Sequence, residues 1–219
     1  MNKIIEKLID DFLVSEEIQP STNSKNFEHF CNFSIVSSEY GGDFSPEDIS
    51  MGESQGIDGL AVIVNGNIIT TPQEIDDLII TNNFLEASFI FIQAKTSESF
   101  DGGDMSNFFL AITDFLSDVP QNTQTIEIRK SIELKNRIYD HVSKMANKGR
   151  PICKIFYVTT GKWNGDKSLE SRIQKHKTDL EALSMFEKID FIPCGANEIQ
   201  NYYLETKRAT SCEFSFDTH

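Results

Sequence analysis

Apolar residues recur at helical spacing through residues 2 to 14, at Ile4, Ile5, Leu8, Phe12 and Leu13, and again through residues 25 to 36, at Phe27, Phe30, Cys31, Phe33 and Ile35. That period predicts two amphipathic helices. Pro20, Ser21, Asn23 and Ser24 supply turn and cap chemistry between them. A polar loop over residues 39 to 56 leads into GIDGLAVIVNGNIIT, which reads as two short strands around the hairpin signal Asn65-Gly66-Asn67. Thr71 and Pro72 start a helix through PQEIDDLII by cap and first-turn proline logic, and ASFIFIQAKTS follows as a strand.

The second half alternates. DMSNFFLAITDFL aligns Met105, Phe108, Phe109, Ile112, Phe115 and Leu116 along one helical face, suited to covering a sheet. Residues 126 to 147 predict a longer helix, stopped by Pro151, and ICKIFYVTTG is an apolar run of the kind buried on both faces of a sheet. Residues 168 to 184 are helical, KIDFIPC is a strand, residues 196 to 206 are helical, and SCEFSF is a candidate last strand. This order predicts an α/β fold, a mixed sheet flanked by helices on both faces. At 219 residues the chain suits one domain over residues 1–219, which is also the size of the front part of a longer protein.

Composition supports a packed core: 39% of residues are hydrophobic and 17 are Phe. No apolar run reaches the roughly 20 residues needed to span a bilayer, and the amino terminus lacks the pattern of a secretory leader. Cys31, Cys153, Cys194 and Cys212 are scattered without zinc-type spacing. Reduced thiols and a cytoplasmic location are expected.

The net charge of -14 argues against a polyanionic partner until its distribution is considered. Residues 121 to 177 hold 13 of the 20 Lys and Arg but only 5 Asp and Glu. The asymmetry predicts one basic face on an acidic body, with helix charges that merely face water as the plainer alternative.

Strand alternation puts Phe89, Phe91, Gln93 and Lys95 on one face, apolar at one end and polar at the other. A lysine on so hydrophobic a strand belongs to an edge or to a site. Asp58 opens another apolar strand between Gly56 and Gly59, which permit close approach of a ligand or backbone, or a bulge. A carboxylate, an amide oxygen and an ammonium at one end of a sheet suit phosphodiester hydrolysis. Asp58 and Gln93 could ligate a hard cation such as Mg²⁺, and Lys95 could orient water or face the charge on phosphate.

The spacing Asp58, then Gln93-Ala94-Lys95, resembles the PD-(D/E)XK nuclease superfamily, and GIDGLAVIVNGNIIT followed by FIFIQAKTSESFDGG resembles the amino-terminal domain of abortive-infection phage-resistance (AIPR) proteins. The likeness is clearest from about residue 25 to residue 118. It implies a restriction-endonuclease-like core, Mg²⁺ or Mn²⁺ as cofactor, DNA as substrate with RNA left open, a role in prokaryotic anti-phage defence, and a homodimer where both strands are cut. Glu28 in FEHF matches the family's helical acid, a further metal ligand; a solvated helix residue is the alternative. Ile57 replaces the motif's proline, and Gln93 replaces its second acid as in Mrr-like enzymes. Because Gln93 carries no charge, a catalytically inactive interaction or sensing module is the rival reading.

Lys162, Trp163, Lys167, Arg172, Lys175 and Lys177 combine cations with an aromatic ring and form the candidate nucleic-acid surface. Asp101 and Asp104 fall in SESFDGGD, read as a turn from which Thr96 and Ser97 could reach a phosphate. His176 reads as a packed helix residue, and His29 and His141 lack partners at metal or nucleophile spacing. No phosphate-cradling glycine loop occurs.

Overall fold

The structure, a computed structural model, describes residues 3–54 and 56–208. In chain order its elements are α1 Lys3–Ser15, α2 Asn23–Glu39, β1 Gly59–Val64, β2 Asn67–Ile68, α3 Pro72–Asn82, β3 Ala87–Lys95, α4 Gly102–Leu116, α5 Ile126–Asp140, β4 Ile152–Thr159, α6 Lys167–Ala182, β5 Lys188–Cys194 and α7 Ala196–Thr206. The strands make one sheet ordered β2-β1-β3-β4-β5. β1 runs antiparallel to β2 and β3, whereas β3, β4 and β5 are parallel. The mixed sheet expected from the sequence is present.

Alternation along β3 distributes its side chains between two apolar layers. Phe89 and Phe91 pack with Leu60, Val62 and Tyr157 beneath α3, α4, α5 and α6. Ile90, Ile92 and Ala94 pack with Phe156 and Val158 against α1, α2 and α7. Edge-on aromatic contacts knit both layers: Phe91 meets Phe115 at 5.4 Å, and Phe12 meets Phe30 at 5.9 Å between ring centroids. Helices therefore cover both faces, and their burial of apolar area is the main force holding them there.

The helix expected over residues 126 to 147 ends at Asp140, and Val142–Met145 tightens into a 3-10 turn. His141 causes the break: its ring lies 3.0 Å from Asp76 of α3, while its carbonyl accepts the Lys144 amide. Pro46–Ile49 adds a 3-10 turn within the polar loop. SCEFSF lies outside the described residues. No helix among the described residues is long and apolar enough to cross a membrane.

The basic face expected from the 121 to 177 segment is narrowed, because four of its 13 cations are matched by acids remote in sequence. Arg137 grips Asp76 through two nitrogens at 2.7 and 2.8 Å. Lys148 pairs with Glu86, Arg150 with Glu187 and Lys154 with Glu39. Lys135 is buried and donates to the Phe115 and Ser117 carbonyls, closing the C-terminus of α4.

Candidate active site

Asp58 is the residue before β1. Gly59 pairs with Ile92, so antiparallel register sets Asp58 across from Gln93. The Asp58 amide donates to the Ile92 carbonyl at 2.9 Å, and its carboxylate Oδ2 accepts the Ala94 amide at 2.7 Å. The carboxylate is thereby tied to the one backbone unit that lies between Gln93 and Lys95. The flanking glycines serve close packing: a Cβ on Gly59 would stand 2.3 Å from Asn32 Oδ1 of α2, and Gly56 has φ +95° and faces α4. Asn32 in turn donates to the Asp58 carbonyl at 3.0 Å, fixing the strand's entry.

Gln93 is 3% exposed, and its Oε1 has no hydrogen-bond partner. Tyr157, its neighbour across the parallel β3–β4 pairing, is fully buried with a hydroxyl that also lacks a partner. Lys95 is half-buried and forms no ion pair among the described residues. Gln93 and Lys95 form the strand side of a recess of about 360 Å³, and Asp104 and Asn107 of α4 form its opposite wall. Asp101 begins α4 by accepting the Gly103 and Asp104 amides at 2.8 and 2.9 Å, which fixes the first helical turn that carries Asp104.

Burial raises the Asp58 carboxyl to about 6, and the negative charge of Glu28 pushes it the same way; the Ala94 amide and the Lys95 ammonium oppose both. Glu28 therefore does lie within electrostatic reach of Asp58. Its own oxygens are engaged, Oε2 with Lys25 at 2.8 Å and Oε1 with the Ser24 hydroxyl at 3.3 Å. Lys25 also donates to the Gly52 carbonyl, so the ion pair braces α2 against the loop that precedes Asp58.

No family model, curated protein or solved structure matches this chain. The site is therefore interpreted from its own geometry.

That geometry fits a hard divalent ion. Among the described residues no three His, Cys, Asp or Glu side chains converge. An amide oxygen serves such an ion too, and a buried acceptor with no partner costs free energy unless something satisfies it. Asp58 and Gln93 are the residues that could hold such an ion.

The candidate nucleic-acid residues divide. Lys162, Lys167, Arg172 and Lys175 are exposed and unpaired among the described residues, whereas Lys177 pairs with Glu181 at 3.8 Å. Trp163 is half-buried, its ring edge against Phe100 at 5.0 Å, so packing claims much of its surface. Arg172 reaches the start of α4: a Cβ on Gly102 would lie 3.3 Å from its side chain. Lys162 follows Gly161, whose backbone abuts Glu98 just past β3. Both cations thus stand near the carboxyl ends of the parallel strands, where ligands of open α/β sheets usually bind. His176 stacks on Phe109 with ring centroids 5.0 Å apart and bonds Ser106, as a packed residue should.

Asn107 and Tyr157 join the site without having been singled out, and Asp104, read as part of a turn, lies in the first turn of α4 and lines the recess. Tyr157 sat within an apolar strand, and its only signal was a hydroxyl at the β4 position facing Gln93.

Proposed function

We propose that the chain is a metal-dependent endonuclease of the PD-(D/E)XK type that hydrolyses DNA phosphodiester bonds, in the anti-phage setting that its resemblance to AIPR proteins implies. One observation carries the reading: the Asp58 carboxylate is held by the amide between Gln93 and Lys95, so a carboxylate, an unsatisfied amide oxygen and an unpaired ammonium share one end of the sheet. Mg²⁺ or Mn²⁺, when bound, supplies Lewis acidity and lowers the pKa of its water. Asp58 and Gln93 position that ion. Lys95 orients the attacking water and offsets the charge that grows on the phosphate. Glu28, paired with Lys25, braces the helix behind Asp58, and its negative charge raises the proton affinity of the Asp58 carboxylate. Lys162 and Arg172 meet the backbone of the bound strand.

The test is incubation of supercoiled plasmid with the protein and Mn²⁺, beside a structured RNA. Nicked and linear DNA is expected, with Lys95→Ala slower by at least about 100-fold at unchanged melting temperature. Cleavage of RNA alone would reassign the substrate, and full activity in Lys95→Ala would refute the mechanism. The uncharged Gln93 and the engaged Glu28 favour one rival, a silent nuclease fold that serves as an interaction module. Intact DNA and RNA with either metal would support it.

A further inference from the structure

The strand side of the recess is short of negative charge, since Gln93 stands where a second acid would be. Across the same space, Asp104 is half-buried in the first turn of α4 and forms no ion pair among the described residues. Lys95, of opposite sign, lines the recess as well, yet the two do not come within ion-pair distance. Two opposite charges that share a recess without closing on each other leave room for a ligand between them. A carboxylate alone would not define a site. Here it shares its recess with Gln93, whose buried Oε1 has no partner, and the hydroxyl of Tyr157, the β4 neighbour of Gln93, lacks one too.

We infer that Asp104 is the second carboxylate of the metal site, supplied by helix α4 in place of the acid that β3 lacks. The inference rests on the reading of the site as a divalent-metal centre. Asp104 then reaches the ion from the recess it lines with Gln93 and Lys95, and Asp58, anchored on the Ala94 amide next to Gln93, supplies the other carboxylate. The arrangement recovers the two negative charges a hard dication needs, and it makes the ion a clamp between α4 and the sheet.

Manganese titration of the full chain by calorimetry, without nucleic acid, tests this independently of catalysis. Asp104→Asn should weaken Mn²⁺ binding by about tenfold or more and leave the melting temperature of the metal-free protein unchanged. Asp104→Ser should behave alike, since it removes the same charge and suits a helix's first turn. Gln93→Glu added to Asp104→Asn should regain affinity, because the charge returns from the strand side. Equal affinity of wild type and both Asp104 variants, with Asp58→Asn still abolishing binding, overturns this inference alone. A double variant that binds no better than Asp104→Asn overturns the charge-replacement argument. A wild-type protein that takes up no Mn²⁺ overturns both this inference and the metal-site reading beneath it.

Discussion

The carboxylate of Asp58 and the backbone amide of Ala94 meet at 2.7 Å at the entry to β1, so the side chain that leads into one strand is locked to the middle of the Gln93-Ala94-Lys95 triplet of the next. That contact needs no metal. It makes the site's anchor part of the sheet's own hydrogen-bonding.

Asp58 also gives the protein a pH signature. Its carboxyl is raised from an ordinary 3.8 to about 6, so the folded protein holds the proton more tightly than the unfolded chain. The resulting stabilisation is complete below the unfolded value and is lost as pH rises through the folded one. In the absence of metal, Asp58→Asn should flatten the fall in stability across that window and be more stable than wild type at neutral pH by about 2 kcal/mol. Urea denaturation at a series of pH values checks this, and parallel curves for the two proteins would contradict it.

Gly59→Ala tests how closely α2 must approach the site. A methyl there would lie 2.3 Å from Asn32 Oδ1, so Asn32 or the strand must shift. A loss of about 1–3 kcal/mol is expected on denaturation, together with weaker cleavage, because Asn32 also holds the Asp58 carbonyl. A variant as stable and active as wild type would show that the helix yields freely.

Lys162→Ala and Arg172→Ala, made together on a Lys95→Ala background, should weaken duplex binding without changing sequence preference. The slope of log affinity against log salt should become shallower by about 2, one for each lost phosphate contact. Fluorescence anisotropy across a salt series measures it. An unchanged slope would place the nucleic acid elsewhere.

Lys135→Met removes the ammonium that satisfies the Phe115 and Ser117 carbonyls. The expected cost is about 1–3 kcal/mol by urea denaturation, since those acceptors are left without their donor. No loss would mean that water reaches the end of α4.

Much of the architecture was legible because its signals are local. FIFIQAK alternates with the period of a strand, and the structure places its odd and even residues in two separate layers. The Asp58–Gln93–Lys95 grouping was legible for the same reason, since two short strands with fixed polarity leave few registers. The opposite wall was not. Asp104 and Asn107 look like ordinary residues of the first two helical turns until α4 packs against β3, and Tyr157 gains its meaning only from lying beside Gln93. The basic segment misled because charge counts along a chain ignore partners, and Asp76, Glu86, Glu187 and Glu39 come from well outside it or from its far side. His141 likewise ended a helix through a contact with Asp76 that no local pattern encodes.

The pairing of Lys148, Arg150 and Lys154 around the start of β4 leaves Lys95, Lys162 and Arg172 uncompensated near the finish of the parallel strands. The molecule is thus electrically uneven along the strand axis: at one pole cations are matched by acids, and at the other, among the described residues, cations and carboxylates stand close together without pairing. Under the proposed reading, phosphates would be met by the unpaired cations of that second pole, while its carboxylates, free of salt bridges, would remain open to a metal ion.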